Sequence, residues 1–147
     1  AQALAELEQS AARLTRLRRQ AAGRLGQTLA PVLPALGLPH ARLEVELRDR
    51  AARTLGGESN PGTRFAADGA DEVEFLFAAN PGEELRPLRL VASGGETARL
   101  VLALRSVLAG ADAGRTLIFD EIDTGVGGRL APELARHLRG LGTHHQV

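Results

Sequence analysis

Thr116-Leu117-Ile118-Phe119-Asp120-Glu121 is an apolar run that ends in two acids. An unbroken apolar run, as opposed to an alternating one, is the pattern of a strand covered on both faces. Residues 116–119 are therefore expected to form a central strand of an α/β sheet. The acids then stand at its C-terminal end, facing the crevice where open α/β sheets bind ligands. An Asp in that place can hold Mg²⁺, directly or through water, and a neighbouring Glu can polarise an attacking water. On its own, the pair is equally the composition of a solvated acidic turn.

Upstream of this run stands Ser93-Gly94-Gly95-Glu96. A serine followed three residues later by Glu, before an apolar-periodic segment, is a capping box that starts a helix. The two glycines let another backbone or a phosphate approach closely, and the first N–H groups with the helix dipole favour an anion. Taken alone the tetrad is a plain helix cap. The helix it opens carries Leu100, Val101, Leu104, Val107 and Leu108 at apolar positions, and the glycines at 110 and 114 break it. Beyond the acids, a second helix is expected to bury Leu130, Leu134, Leu138 and Leu141, with Pro132 tolerated only in its first turn. Gln146-Val147 reads as the start of another strand.

The first third of the chain follows different periods. Leu4, Leu7, Ala11, Leu14, Ala21 and Leu25 recur at steps of three and four, with Arg18 interrupting the seam, as in a coiled-coil-like helix over residues 3–29. Arg13, Arg16, Arg18 and Arg19 read as a solvated face, and Pro31 and Pro34 end or kink the helix. Residues 42–48 alternate, with Leu43, Val45 and Leu47 on one side and Glu44 and Glu46 on the other. A second alternating strand sets Val73, Phe75 and Phe77 inward and Glu72 and Glu74 outward. Residues 51–70, rich in Gly, Ser, Asn and Pro, read as a long mobile loop, and Asn80-Pro81-Gly82-Glu83 as a turn.

Composition sets outer bounds. A chain of 147 residues with a hydrophobic fraction of 44% can build one core. Its net charge of zero gives no whole-molecule attraction to nucleic acid or membrane. There is no cysteine, hence no disulfide and no thiolate metal site. No stretch is long enough to span a bilayer. The chain is expected to be cytoplasmic and, lacking Met, to start inside a longer product. All 18 basic residues are Arg.

The order of a helix-opening SGGE, one crossover helix, an apolar strand and then DE resembles an ABC ATPase signature followed by Walker B. Asp123-Thr124-Gly125-Val126-Gly127-Gly128 resembles the D-loop that follows. Residues 91–96 with Arg99 and Leu102-Ala103-Leu104, the stretch from Ile118 to Val126, and residues 73–88 are similar to the RecN family. The likeness is firm over residues 71–147 and looser back to Pro39. Thr97, Ala98 and Gly127 depart from the family's usual residues, and none removes a catalytic group.

The resemblance implies the C-terminal lobe of an ABC/SMC-type ATPase head over residues 38–147, with the returning end of a coiled-coil arm in residues 1–37. It implies recombinational repair of DNA double-strand breaks in the bacterial nucleoid, with ATP and Mg²⁺ as cofactors. Asp120 would then bind Mg²⁺, and Glu121 would be catalytic. Ser93, Gly94, Gly95 and Glu96 would bind the ATP of an opposite head in a homodimer, and Asp123, Thr124 and Gly125 would form the D-loop. DNA is an implied partner without an implied contact surface, and no membrane is involved.

A Walker A loop, G-x-x-x-x-G-K-[ST], needs a lysine that this chain lacks. The family places that loop in an N-terminal half of the head, so the chain alone is expected to be inactive. The switch His of ABC ATPases follows the last strand, whereas His144 and His145 precede it and read as loop residues. Competing readings are the nucleotide-binding domain of an ABC transporter, another SMC-like ATPase, a non-enzymatic dimerisation segment, or a purely structural coiled coil. A GxxxxGK[ST] upstream, followed by long heptads, discriminates the RecN-like reading from the transporter.

Overall fold

The computed structural model describes residues 2–50, 65–91, 93–111 and 114–147. Most of the expected loop at 51–70 lies outside them. Helix α1 spans Gln2–Leu29, and a one-turn helix α2 spans Val32–Ala35. Pro31 is the N-cap residue of this second piece, and Pro34 lies within it. Strands β1 (Arg42–Asp49) and β2 (Asp71–Ala78) pair antiparallel along their full length, and a short β3 (Arg86–Pro87) adds to β2. Helix α3 spans Gly94–Leu108, and α4 spans Ala131–Leu141 with a proline in its first turn, as expected. No helix among the described residues is long and apolar enough to cross a membrane.

The alternation in β1 and β2 is realised as a two-faced hairpin. Leu43 stands opposite Phe77, Val45 opposite Phe75 and Leu47 opposite Val73, so the apolar residues share one face. Phe77 is fully buried, whereas Val73, near the far end of the strand, is 42% exposed. On the other face Glu46 lies directly opposite Glu74, a like-charge pair that costs stability if left alone. Arg48 bonds Glu46 at 2.6 Å and Arg89 bonds Glu74 at 3.4 Å. The Arg48 hydrogen bond holds the Glu46 carboxyl below its ordinary range. The Asn80–Glu83 turn forms as read, with Gly82 at φ 81° and the Glu83 N–H donating to Asn80 O.

The core gathers Leu29, Leu33, Leu36, Leu38, Phe77, Leu100, Leu102, Ala103, Leu134 and Leu141 from both ends of the chain. Burying each such large side chain is worth about 1.5–3 kcal/mol. In α3 the buried face is Arg99, Leu100, Leu102 and Ala103, while Leu108, expected inside, is 44% exposed. The helix rests on α1 on one side and on α4 on the other, so its inward stripe is turned from the simple periodic one.

Two further expectations are corrected. Residues 116–119 do not form a central strand: Thr116 alone pairs, in a parallel bridge with Gln146, and Ile118 is 89% exposed. Leu117 N–H donates to Gln146 O at 2.7 Å, and Gln146 N–H donates to Arg115 O at 2.9 Å. This segment has a neighbour on one side only among the described residues, so nothing completes a sheet around it. Arg18, in turn, is not solvated with its neighbours. Its guanidinium bonds Asp71 at 3.1 Å and the Asp68 carbonyl at 2.6 Å, and Thr15 Oγ1 lies 2.7 Å from Asp71 Oδ1. Asp71 is only 6% exposed, a buried carboxylate at the head of β2 beneath α1. Gly69 lets the helix come this close, since a Cβ there would fall 2.9 Å from Leu14 Cδ2.

Asp71→Ala therefore removes the carboxylate that Thr15 and a part-buried Arg18 share, leaving them only the Ala11 and Asp68 carbonyls. The expected cost is about 1–3 kcal/mol, read as a lower urea midpoint, and Asp71→Asn, which keeps the Thr15 bond, should lose less. Equal midpoints for Asp71→Ala and the parent chain would refute the anchoring role.

Candidate functional site at the start of helix α3

The cap reads as expected at its first residue. Ser93 is the N-cap of α3 in extended conformation, and its side chain accepts from the Glu96 N–H at 3.4 Å. Ser93 and Glu96 line a cleft of about 480 Å³ with Glu83, Glu84 and Arg86 from the turn and β3. Glu83 is tied down by the Asn80 side chain, the Asn80 N–H and the Ala79 N–H, which hold its carboxyl below the ordinary range. The cleft thus offers one guanidinium against three carboxylates. By charge alone it repels a triphosphate, whose neutralisation needs cations from elsewhere.

The acidic loop lies against the same helix end. The Glu121 carboxylate sits over Gly94, where any Cβ would collide with Oε2. Glu121 is the single described non-glycine residue at positive φ, 56°, and its N–H bonds Asp120 Oδ1 at 2.9 Å. The left-handed conformation is sparsely used by side chains other than Asn and Asp, and such residues cluster at functional sites. Thr124 N–H donates to Glu121 O, and Val126 N–H donates to Asp123 O, so the loop is a chain of tight turns with Gly125 at φ 72°. Asp120, Glu121, Asp123, Thr124 and Gly125 are all exposed.

Arg99 secures the arrangement. It is 7% exposed and its Nη1 donates to the Thr124 carbonyl at 2.9 Å. Gly95 is buried in the same contact: a Cβ there would lie 3.1 Å from Thr124 O and 3.2 Å from Arg99 Nη1. In the sequence Arg99 marks the family resemblance and announces no role of its own. The available signal was an arginine one turn after Gly95, on the helix face that carries Leu100 and Ala103. The structure thus brings Gly94, Gly95, Glu121 and Thr124 together, and leaves Ser93 and Glu96 on the cleft side. His145 is buried and accepts from the Arg115 N–H at 3.4 Å through Nδ1, a structural role, while His144 meets Thr143.

For a divalent cation, the described residues hold no cluster of three or more acids or histidines. Asp120 has one oxygen engaged by a backbone N–H and stands exposed, so it fits as one carboxylate ligand of Mg²⁺, an ion that takes few protein ligands and completes its shell with phosphate and water.

Comparison with known proteins adds identity along the chain. The DNA repair protein RecN of Mycobacterium leprae is 43% identical over 97% of this chain and 26% of its own length. That of Streptomyces coelicolor is 41% identical over 97% of this chain and 25% of its own, and that of Xylella fastidiosa 39% over 99% and 24%. The chain spans about a quarter of the length of these curated relatives. No protein-family model matches it. A crystal structure of an SMC head bound to the C-winged helix domain of ScpA aligns over 90% of this chain and 35% of its own, at a TM-score of 0.49 and 15% identity. That likeness is too low to bear on function.

The two glycines should respond differently to a methyl group. In Gly94→Ala the new Cβ meets the tip of an exposed, movable glutamate, so stability should stay within about 0.5 kcal/mol of the parent. In Gly95→Ala it meets the Thr124 backbone, and overpacking should cost about 1–3 kcal/mol. Indistinguishable urea midpoints for the two variants would contradict the packing described.

Proposed function

We propose that this chain, which belongs to the RecN family, forms the C-terminal half of the ATPase head of such a protein, residues 38–147, with the returning end of its coiled-coil arm in residues 1–37. The observation that carries the reading is the identity of 39–43% to RecN proteins along a chain whose signature-like helix start and acidic loop pack against each other. The parent protein would act in DNA repair, as the name of those relatives states for them, with double-strand breaks as the lesion that the resemblance implies.

In this reading the missing Walker A comes from an N-terminal half of the same head. The exposed edge at residues 116–119 is where it would dock. Leu117, Ile118, Phe119, Ile122, Leu138 and Val147 line an open apolar cleft of about 720 Å³ beside that edge. A strand laid there would cover Ile118 and complete the sheet that the sequence pattern calls for. Lysine and further cations from that half would offset the carboxylates around Ser93 and Glu96.

Asp120 would hold Mg²⁺, which would supply positive charge to offset that of the phosphates. Glu121 would orient a water for attack on the γ-phosphate and take its proton. Ser93, Gly94 and Gly95 would present N–H groups and a hydroxyl to the γ-phosphate held by a second head, with Glu96 fixing the cap and Asp123, Thr124 and Gly125 meeting that head. Because the Glu121 carboxylate rests on Gly94 here, it must swing away before a phosphate can reach this helix end. ATP would join two heads, and hydrolysis would release them.

The chain alone should release no phosphate from Mg-ATP, since it has no lysine to grip the triphosphate. In the full-length parent, Glu121→Gln should slow hydrolysis by about 10²–10⁴-fold while ATP-bound dimers accumulate. Asp120→Asn should instead weaken Mg-ATP binding. Ser93→Arg should bind ATP yet stay monomeric by light scattering. Parent-like hydrolysis by Glu121→Gln, or ATP-induced dimers of Ser93→Arg, would overturn these roles.

A further inference from the structure

From Gln9 to the end of α1 there is no acidic residue, and five arginines stand in that stretch. Arg18 is engaged with Asp71, but Arg13, Arg16, Arg19 and Arg24 are exposed, and none of them takes part in an ion pair among the described residues. At about 100° per residue, Arg13, Arg16, Gln20, Arg24 and Gln27 fall on one stripe. That stripe is turned roughly 160° from the seam of Ala11, Leu14, Arg18 and Leu25 that faces the hairpin and core. Arg13 and Arg24 therefore stand away from the hairpin and core, while Arg16 and Gln20 stand at the rim of a cleft of about 760 Å³ that α1 forms with Leu47, Asp49 and Asp71.

We propose that this stripe is a docking surface for the phosphate backbone of duplex nucleic acid, a surface that the reading as a repair ATPase, on which this inference rests, leaves unassigned. From Arg13 to Arg24 the stripe runs about 16 Å along the axis, long enough to meet two or three successive phosphates of one strand. Arginine forks suit phosphate oxygens, and the interleaved glutamines offer further donors to phosphate and sugar. The stripe holds no aromatic residue, so it has no platform for stacking unpaired bases, which favours a duplex over a single strand. Leu17, 46% exposed, is the one large apolar side chain at its margin, too little to seat the helix in a lipid surface. With phosphate contacts and no base readout, binding is indifferent to sequence.

The test is made in the full-length parent protein with R13Q/R16Q/R24Q, and with R89Q/R129Q/R139Q as a control of equal charge elsewhere. Duplex binding is followed by fluorescence polarisation across a salt series, with single strands and anionic vesicles as parallel probes. Loss of three phosphate contacts should lower the slope of log affinity against log salt by about 2.7, equally for unrelated duplex sequences, with the control unchanged. The proposal is overturned if the stripe variant keeps the parent slope, if the control loses as much, or if the loss appears with vesicles or single strands and not with duplex. Circular dichroism and the thermal midpoint of each variant establish that α1 is still formed, so a loss without unfolding is assigned to the stripe. ATP-dependent dimerisation is measured separately. Its absence in the parent would undo the proposed ATPase role, while a stripe-dependent salt slope would still stand.

Discussion

The bond from Arg99 to the Thr124 carbonyl decides where the candidate site is. Arg99 issues from the buried face of α3, beside Leu100, so its guanidinium is placed by the same packing that forms the core. Through Thr124 it fixes a loop that has no strand or helix of its own. The loop backbone can come so near because residue 95 lacks a Cβ, which would lie 3.1 Å from Thr124 O. The helix start, the acidic turn and the core are thus one unit, and a change in any of them is felt by the other two. A buried arginine whose Nε finds no partner among the described residues carries a desolvation cost, which is offset here by a charge-assisted bond to a backbone oxygen.

Much of this was legible in the sequence where local chemistry decides. The Ser93 cap, the Pro-Gly turn at 81–82, and the strict alternation of residues 42–48 each specify conformation locally, and each formed, the cap through the Ser93 side chain alone. The register of β1 against β2 follows from matching apolar faces. Legibility failed where partners decide. The apolar run at 116–119 has the pattern of a strand buried on both faces, but a strand is buried only if something lies on each side, and among the described residues Gln146 alone pairs with it. Arg18 was read as solvated with its neighbours because its charge was weighed without knowing that Asp71, fifty-three positions away, would be carried under it by the hairpin. The importance of Arg99 was hidden for the same reason, since its acceptor is a main-chain oxygen that no side-chain pattern announces.

Charge is distributed unevenly over a molecule whose sum is zero. Carboxylates gather around the mouth of α3 and on the outer face of the hairpin, while guanidiniums line the outer face of α1. A chain can therefore be neutral as a whole and still meet one polyanion at one surface while needing help to accept another elsewhere. Net charge, which argued against nucleic acid at the outset, is a poor guide when the two signs are sorted by face.

Helix α1 is about 42 Å long and is fastened to the hairpin near its middle, at Thr15 and Arg18, while residues 2–10 are exposed throughout. Mechanically this is a beam with a pinned support. A tilt of about 5° at the pin moves Gln2, thirteen residues or about 20 Å away, by about 1.7 Å, and the opposite end pushes Leu25 and Leu29 against the layer that holds α3. Deflection of the N-terminal end of α1 is thereby converted into load on the helix whose first turn carries Gly94 and Gly95, with the buried carboxylate of Asp71 as the fulcrum.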